Sequence, residues 1–370
     1  MASLRVISAD SHMMEPAELW TGRLDRKFSD RAPHVVKTNH GYLFTAPGVF
    51  PFPVAGGFGL GRSGKELGEH FRGHGYETAR PSGWDPAERL KDQDIDGVAA
   101  EVLYTTLGMP LLALDDVELQ QACFSVFNNW LAEYASYAPK RLYPIALISL
   151  EDVAAGVKEL ERCAKLGFRG AMIWGAPPED RPYSKPLYDP FWAAAQDLQL
   201  PLSLHVITQK KQNEIRFDGP REGRPTVDPI FEIQQSLRSL IYGGALDRFP
   251  NLRIVSAEND AGWIAHYLHR LDHIHEKFLS MAQPGRIKML PGEYLRRHLW
   301  ATFQDDPVAP LTCSYFGEDQ FMWASDFPHT DSTWPRSQEV IARDFAHVSE
   351  SVRRKIVCDN AVKLYRMDLN

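Results

Sequence analysis

Hydrophobic residues recur along the chain in two alternating patterns, short apolar runs and longer amphipathic segments. The first run leads from Val6 to Asp10, and in the segment 152–166 four apolar side chains share one helical face. The pattern predicts eight strands, each followed by a helix or by a loop and a helix. After the first strand they are predicted at 97–104, 143–148, 169–174, 200–206, 252–258, 299–302 and 321–325.

Eight such units favour a (β/α)8 TIM barrel over an open parallel sheet. We predict a single α/β domain over residues 1–370, closed by two or three C-terminal helices. The segment 38–82 breaks the strand and helix rhythm, and it contains a short hairpin strand and a glycine-rich stretch. We therefore predict that this segment is a lid inserted after the first strand.

Glycines in this insertion resemble two nucleotide-binding motifs. Gly59, Gly61 and Gly64 have the spacing of a dinucleotide fingerprint, and residues 59–65 nearly match a phosphate-binding loop. The context does not fit, because no apolar strand precedes them and Glu66 stands where a phosphate loop needs serine or threonine. We interpret the stretch as a flexible surface loop.

Composition and charge exclude several classes of partner. The 370 residues are 44% hydrophobic and 24% charged, and the formal charge of -7 provides no basic field for nucleic acid. The sequence has no run of 18 apolar residues and no apolar leader, so we predict no membrane span and a cytoplasmic protein. The four cysteines lie far apart in sequence, which predicts reduced core residues rather than disulfides.

Ionisable residues lie at or near the carboxyl ends of the predicted strands. Asp10 and His12 are two positions apart, so both side chains lie on the same face where the first strand ends. Oxygen and imidazole donors together suit iron, manganese or zinc. The strand ends of a barrel converge on one face, where several buried acids would repel one another without a cation. The candidate metal ligands are Asp10, His12, Glu101, His205, Glu258 and Asp326.

Each of these residues also has a purely structural explanation. A buried acid can pair with an arginine, and a histidine at a strand end is often a hydrogen-bonded core residue. We assign Asp260 to capping the helix that follows it, and Glu15 to orienting His12 or capping a turn. His266 and His329 are kept as alternate ligands or as residues that support the ligands.

Four sequence blocks carry these candidates in a fixed order. The blocks are Asp10-x-His12-x-x-Glu15-Pro16, Leu204-His205, residues 256–263 and residues 323–329. They resemble the amidohydrolase-related TIM-barrel metalloenzymes, amidohydrolase family 2. The resemblance implies a metal-dependent hydrolase or a non-oxidative aromatic decarboxylase, with metal held by a His-x-His pair, a strand-five histidine and a strand-eight aspartate. In the family's hydrolases a metal-bound water attacks the substrate, and the strand-eight aspartate, here Asp326, is the base.

The chain departs from this family pattern toward more carboxylates. Asp10 replaces the first histidine of the strand-one pair, Glu258 replaces the strand-six histidine, and the end of strand four has no bridging lysine. Two iron ions that handle dioxygen are commonly held by several carboxylates and a few histidines. This branch resembles the TIM-barrel non-haem di-iron monooxygenases of diterpenoid biosynthesis, whose relatives act on acids linked to coenzyme A.

Three functions compete, and a di-iron monooxygenase that hydroxylates a hydrophobic or coenzyme A-linked carboxylic acid ranks first. A metal-dependent hydrolase of an amide, ester or thioester ranks second, with a non-oxidative decarboxylase as its variant. A catalytically inactive barrel ranks last, because a decayed site should not gain acids. In the preferred hypothesis the six candidates hold two divalent ions, iron preferred, and Asp326, Glu258 and His205 act in catalysis. A hydrolase or decarboxylase would use zinc or manganese.

The loop after the fifth strand carries a candidate handle for the substrate. Residues 208–224 contain five basic and three acidic residues, and they should overhang the mouth of the barrel. We predict that Lys210, Lys211 and Arg216 bind the nucleotide end of a coenzyme A thioester; the alternative is a solvated loop. The predicted partners are a small-molecule substrate, an external electron donor for an oxygenase, and a second copy of the chain in a homodimer.

Overall fold

Eight parallel strands form the centre of the protein, and each adjoins the next barrel strand in chain order. The computed structural model describes residues 5–39, 41–73, 75–210, 224–282 and 286–369. The barrel strands are β1 (Val6–His12), β5 (Val98–Tyr104), β6 (Leu142–Leu147), β7 (Gly170–Ile173), β8 (Leu202–His205), β9 (Ile254–Ala257), β10 (Leu299–Phe303) and β11 (Phe321–Trp323). This arrangement confirms the predicted TIM barrel.

Hydrogen bonds from the segment after β11 close the barrel against β1. The backbone N–H of Asp326 donates to the carbonyl oxygen of Asp10 at 3.0 Å, and the N–H of His12 donates to that of Phe327 at 2.7 Å. A buried cluster of three serine hydroxyls lies beside these bonds. The closure brings both ends of the strand sequence together, so residues more than 300 positions apart share one seam.

Helices connect the strands and cover the barrel. Asp85, Asp116 and Asp152 begin three of them, because each carboxylate accepts a hydrogen bond from a backbone N–H of the first turn. None of the helices in the described ranges is long and apolar enough to cross a membrane. The helices are α1 (Leu19–Arg23), α2 (Gly64–Gly73), α3 (Pro86–Asp96), α4 (Val117–Ala135), α5 (Val153–Lys165), α6 (Asp189–Asp197), α7 (Arg224–Tyr242), α8 (Ala245–Arg248), α9 (Ile264–Ile274), α10 (Ser280–Ala282), α11 (Pro291–His298), α12 (Val308–Thr312), α13 (Ser337–Asp344), α14 (Glu350–Arg354) and α15 (Asn360–Tyr365).

The insertion after β1 packs on the segment that follows β11. The backbone N–H of Gly61 donates to the carbonyl oxygen of His329 at 3.2 Å. A Cβ atom at Gly59 would lie 2.3 Å from Thr330, so glycine permits this close approach. The stretch is therefore a packed segment rather than the surface loop expected from the sequence, and the lid function of residues 38–82 stays a prediction. The inserted strands form an antiparallel sheet of β2 (His34–Thr38), β3 (Gly41–Ala46) and β4 (Val49–Pro53).

Large side chains fill the barrel interior beneath the strand ends. The Tyr104 hydroxyl lies 2.8 Å from Ser203 Oγ on β8 and 3.3 Å from the Tyr365 hydroxyl of α15. Strands β5 and β8 are not neighbours in the sheet, so these contacts cross the interior. All four cysteines are buried and free, as the sequence predicted. The barrel is thus a packed core, and ligands can reach the strand ends only from the mouth.

Glu101 points out of the barrel and away from the strand ends. Tyr104, three positions later on β5, points inward, and residues three apart on a strand face opposite sides. Glu101 accepts hydrogen bonds from Arg89 Nε and Gln93 Nε2 of α3, both at 2.6 Å. The prediction that Glu101 is a metal ligand is therefore wrong, because the carboxylate is already neutralised on the helix side of the strand.

Arg89 is a completely buried residue that joins three parts of the fold. Besides its ion pair with Glu101, its guanidinium donates to the carbonyl oxygen of His12 at 2.8 Å and to that of Phe327 at 3.4 Å. A buried ion pair is costly to break from one side, because the remaining charge is left without a partner. Arg89 thus couples α3 and β5 to the seam of the barrel.

Replacing Arg89 with methionine should lower the free energy of unfolding by about 3–5 kcal/mol, because the buried Glu101 carboxylate loses its counter-ion. Lys91→Met on the same helix is the control, since the Lys91 side chain is 66% exposed and water screens its ion pair with Glu88. Urea unfolding followed by circular dichroism measures both changes. Equal losses in the two variants would contradict the role assigned to the buried pair.

Candidate metal centre

Five ionisable side chains converge at the carboxyl ends of four barrel strands. His12 Nε2 on β1 lies 3.5 Å from Asp10 Oδ1 and 3.4 Å from both Glu258 Oε2 and Asp326 Oδ1. His205 Nε2 at the end of β8 lies 3.6 Å from Asp10 Oδ1 and 3.4 Å from Glu258 Oε2. Of the six ligands predicted from the sequence, the structure brings these five together and leaves Glu101 outside.

Glu258 and Asp326 reach this cluster through unusual backbone conformations. Glu258 directly follows β9 and Asp326 lies three residues after the end of β11, and their φ angles of 53° and 51° lie in the left-handed region. A non-glycine residue there stores about 1–3 kcal/mol of strain, which the surroundings must impose. The Glu258 N–H donates to Thr302 Oγ1 at 2.9 Å, and the Asp326 N–H donates to the Asp10 carbonyl oxygen at 3.0 Å. These bonds hold the two turns that direct both carboxylates into the mouth.

Backbone carbonyl groups orient both histidines of the cluster. His12 Nδ1 lies 2.8 Å from the carbonyl oxygen of Thr105, and His205 Nδ1 lies 3.0 Å from that of Val206. A carbonyl oxygen can only accept, so Nδ1 carries the hydrogen in each ring. The Nε2 lone pairs therefore point at the cluster, as in histidines that ligate metals.

Six polar atoms of the cluster are buried and have no hydrogen-bond partner among the described residues. Buried polar atoms are almost always paired, so their convergence favours a cation that binds them. Tetrahedral donors about 2.1 Å from one ion lie about 3.4 Å apart, which matches the observed separations of 3.4–3.6 Å. These residues fall into two groups that could each hold an ion, Asp10 with His12 and His205, and His12 with Glu258, Asp326 and His329. Because both groups need His12 Nε2, the donor set favours one divalent ion over the predicted two. The six atoms are Asp10 Oδ1, His12 Nε2, His205 Nε2, Glu258 Oε2 and both carboxylate oxygens of Asp326.

The pKa shifts of the cluster also favour a bound cation. Burial and the neighbouring Asp326 raise the pKa of Glu258 well above its usual value, and burial and Asp10 do the same to the pKa of Asp326. Burial lowers the pKa of His205, but the Asp10 and Glu258 carboxylates outweigh it and raise that pKa to about 9. Burial and nearby imidazoles instead lower the pKa of His12. A divalent cation would favour the ionised form of the acids and the neutral form of the imidazoles that bind it.

Two residues that support the cluster were not assigned from the sequence. Thr302 Oγ1 donates to Asp10 Oδ2 at 2.9 Å, and Thr106 Oγ1 lies 2.7 Å from Nε2 of His329. The His329 ring stacks on His12 with centroids 3.9 Å apart, and its Nδ1 lies 3.2 Å from Asp326 Oδ1. Thr302 could have been found by the strand-end argument, since it ends a predicted strand. Thr106 follows its strand by two residues and carries no such signal.

Glu15 organises the loop after β5. Its buried carboxylate accepts hydrogen bonds from the Thr105 hydroxyl and from the backbone N–H groups of Thr106, at 3.2 Å, and Leu107, at 2.9 Å. The same loop provides the Thr105 carbonyl group that orients His12. Glu15 therefore caps a turn and, through that turn, positions the imidazole, so both roles considered for it apply.

Two other candidates lie outside the cluster. Asp260 and His266 are exposed, and neither belongs to the groups of donor atoms that could share an ion. Asp260 does not cap the following helix either, because Asp306 accepts the hydrogen bonds from the backbone N–H groups of Ala261, at 2.9 Å, and Gly262, at 2.7 Å. Asp306 lies in the loop after β10, so local sequence could not predict that it accepts these hydrogen bonds.

Lys210 does not extend over the mouth to meet a ligand. Its ammonium group lies 2.7 Å from Glu151 Oε1 and 3.2 Å from Asp115 Oδ1, and it donates to the carbonyl oxygen of Leu114 at 2.6 Å. Its charge is thus already balanced by two carboxylates, which removes the support for its role in binding coenzyme A. Lys211 and Arg216, the other two residues of that prediction, lie outside the described residues.

Comparison with known proteins identifies the family. The sequence profile described as Amidohydrolase matches residues 30–367, which is most of the chain. The chain belongs to the amidohydrolase family. The match starts after the strand that carries Asp10 and His12, so the first two members of the cluster lie before it. The resemblance noted from the sequence blocks is confirmed at the level of this family.

Curated relatives of this amidohydrolase are decarboxylases. A gamma-resorcylate decarboxylase of Rhodococcus jostii is 29% identical over 256 residues, which cover 65% of this chain and 75% of the relative. A gamma-resorcylate decarboxylase of Polaromonas sp. is 26% identical over 300 residues, which cover 76% of this chain and 87% of the relative.

Solved structures show the same fold over nearly the whole chain. An amidohydrolase from Mycobacterium avium subsp. paratuberculosis has a TM-score of 0.79 at 22% identity, with 99% of this chain and 100% of the other covered. A 5-carboxyvanillate decarboxylase from Sphingomonas paucimobilis has a TM-score of 0.72 at 22% identity and the same coverage. A dihydroxybenzoic acid decarboxylase from Polaromonas sp., with bound manganese and an inhibitor, has a TM-score of 0.66 at 19% identity, with 98% and 97% covered.

These relatives overturn the expectation of a di-iron monooxygenase. The named curated relatives are decarboxylases, and the metal in a related structure is manganese, so iron loses its support. The external electron donor is withdrawn with the oxygenase. The expectation rested on a surplus of carboxylates, and Glu101, one of those counted, is bound to Arg89 outside the cluster. The homodimer stays a prediction.

Purified protein loaded with manganese should contain about one ion per chain, because the two groups of donor atoms share His12. His205→Ala should weaken metal binding by more than the 10–100-fold typical of losing a supporting residue, since it removes a ligand and leaves acids uncompensated. His266→Ala is the control, because His266 is an exposed histidine outside the cluster. Elemental analysis and competition with a chelator measure stoichiometry and affinity. Two ions per chain, or equal behaviour of the two variants, would contradict the assignment.

Proposed function

We propose that this amidohydrolase is a divalent-metal-dependent, non-oxidative decarboxylase of a small aromatic carboxylic acid. The observation that carries the proposal is the convergence of five strand-end side chains, whose six unpartnered polar atoms belong to two groups of donors that share His12. The decarboxylase relatives support this reaction, and the manganese in a related structure supports manganese as the ion. The hydrolase alternative has the same ligands but no comparable support among the named relatives.

A set of two acids and two histidines holds the ion in this proposal, with Glu258 beside them. A bound divalent ion would supply positive charge that attracts the substrate carboxylate and positions it at the centre. Carboxylate and imidazole donors are compatible with manganese. The four residues are Asp10, His12 and His205, which form one group of donors, and Asp326, whose Oδ1 lies 3.4 Å from His12 Nε2.

Lys210, the described lysine of the loop after β8, provides no free positive charge for an acid substrate. Lys210 is neutralised by Glu151 and Asp115. Close to Glu258 the protein instead presents further carboxylates, among them Asp331, which contributes to the raised pKa of Glu258. An acid substrate would therefore be repelled without a cation, so affinity for a carboxylate depends on the occupied centre.

Glu258 is the member of the cluster best suited to carry a proton. Its side chain is 15% exposed, whereas those of Asp10 and Asp326 are 1% and 0% exposed, so it is the acid that faces the mouth. Burial and nearby carboxylates raise its pKa, which favours the protonated form. In this mechanism Glu258 donates its proton to the ring carbon that bears the carboxylate. The carbon–carbon bond then breaks, its electron pair returns to the ring, and carbon dioxide departs.

Asp326 has a different role because its side chain is completely buried and its backbone N–H donates to the Asp10 carbonyl oxygen at 3.0 Å. Its Oδ1 lies 3.4 Å from His12 Nε2 and 3.2 Å from His329 Nδ1, and Thr106 Oγ1 lies 2.7 Å from the other nitrogen of His329. The fixed backbone and the burial keep this carboxylate beside the centre. Asp326 therefore contributes to metal binding, and His329 contributes by keeping Asp326 in place.

Incubation of the manganese-loaded protein with 2,6-dihydroxybenzoate or 5-carboxyvanillate in heavy water should release one carbon dioxide per product. The product should carry one deuterium at the carbon that lost its carboxylate, since the proton comes from a group that exchanges with solvent. Mass spectrometry and a dioxygen electrode follow the reaction, and no dioxygen should be consumed. Consistent failure with aromatic acids together with turnover of an ester or amide would contradict the proposal and favour the hydrolase.

Glu258→Gln should lower kcat by about 10²–10⁴-fold, because the amide keeps the shape of the side chain but cannot transfer the proton. Bound manganese should stay near the wild-type amount, whereas Asp326→Asn should lose both metal and activity. Asp260→Asn, two positions from Glu258 and exposed, is the control and should leave kcat unchanged. Steady-state kinetics with elemental analysis separate these outcomes, and an unchanged kcat in Glu258→Gln would exclude the assigned role.

A further inference from the structure

A second cleft lies at the opposite end of the barrel from the metal centre. It has a volume of about 460 Å³, and Arg253, Arg297, Trp300 and Lys363 are among its lining residues. Arg253 precedes β9, Trp300 is the second residue of β10, and α11 and α15 provide the other two. The amino ends of parallel strands point away from the active face, so the cleft is separate from the site described above.

The lining of this cleft is positively charged and contains no acid. Two arginines and one lysine line it, although the whole protein has a net charge of -7. The ion pairs found among the described residues involve none of the three. Elsewhere on the same side of the fold Arg248 pairs with Asp189 at 2.8 Å, as surface arginines commonly do. Three cations around one cleft repel one another unless an anion binds between them.

Amide side chains add donors to the same cleft. Gln196 Oε1 accepts a hydrogen bond from the backbone N–H of Asn251 at 3.0 Å, and Gln199 Oε1 accepts one from Arg366 at 3.2 Å. Both glutamines line the cleft, and these bonds occupy their acceptor atoms. The amide NH₂ groups are then the ends that can bind a ligand. Like the cations, the two glutamines therefore favour a ligand with many hydrogen-bond acceptors.

The charge of the surroundings extends the positive region beyond the lining. Burial and the guanidinium groups of Arg169 and Arg253 lower the pKa of Arg366. Arg366 itself contacts the protein only through Gln199 and the carbonyl oxygen of Leu198 among its described hydrogen bonds, which are neutral acceptors. Several guanidinium groups are therefore close enough to affect one another without a carboxylate between them.

We propose that this cleft binds a small organic diphosphate, such as a nucleoside diphosphate. The positive charge of the three cations matches the negative charge of a diphosphate. A single carboxylate would leave most of that positive charge unbalanced. Forked guanidinium groups suit phosphate oxygens, and the indole of Trp300 offers a flat face for a base. The volume lies within the range of small-molecule sites. The inference uses none of the residues of the metal centre, so it does not depend on the decarboxylase proposal.

Isothermal titration of the manganese-loaded protein with ADP and with pyrophosphate at low salt tests this inference. Both probes should show saturable binding to one site, with affinity that falls as salt rises. ADP should bind more tightly than pyrophosphate because only ADP can stack on Trp300. Equal affinities would overturn the role of Trp300, and absence of saturable binding of both probes would overturn the site.

Variants separate this cleft from phosphate binding at the metal centre. The double variant Arg253→Gln with Arg297→Gln should weaken binding of ADP by about tenfold or more. Lys363→Glu, a charge reversal at an exposed position, gives a second measurement if the double variant folds poorly. Arg270→Gln, an exposed arginine that does not line the cleft, should bind ADP like the wild type. Wild-type affinity in the double variant or in Lys363→Glu would assign binding to another site and overturn the inference.

Discussion

Mutual repulsion among buried carboxylates is the constraint on which the site depends. Asp10, Glu258 and Asp326 present oxygens to one point in the mouth of the barrel, and burial prevents water from screening them. The pKa values of Glu258 and Asp326 are raised because ionising both without a cation is unfavourable. A divalent ion attracts the same carboxylates that repel one another. The arrangement therefore lowers the free energy when a metal is bound and raises it when the site is empty.

The surrounding fold holds that arrangement by hydrogen bonds from several directions. Carbonyl groups after β5 and β8 orient the two histidines, Thr302 donates to Asp10, and the seam between β11 and β1 holds the backbone of Asp326. Arg89 connects the same seam to a helix on the outside of the barrel. Strain in the left-handed residues Glu258 and Asp326 is sustained because these contacts determine the backbone on both sides.

A carboxylate-rich set of strand ends does not by itself indicate redox chemistry. The number of acids that face a centre matters, and the outward orientation of Glu101 removes one of them. The remaining donors form two groups that share His12, which favours one ion over the paired metals expected of a di-iron oxygenase. One ion is enough to polarise a bound acid. Decarboxylation needs only that positive charge and a proton donor near the ring, and Glu258 occupies the position from which a proton could be delivered.

The sequence by itself determined the barrel. Strand and helix periodicity is local, and eight alternating strand and helix units commonly close into a (β/α)8 barrel. It also located most of the centre, since parallel strands bring their carboxyl ends together wherever they lie in the chain. Only the tertiary structure decided which side of β5 Glu101 faces, how many ions the donors suit, and that Lys210 is neutralised. Those features depend on contacts between residues distant in sequence, such as Arg89 with Glu101, and periodicity carries no information about them.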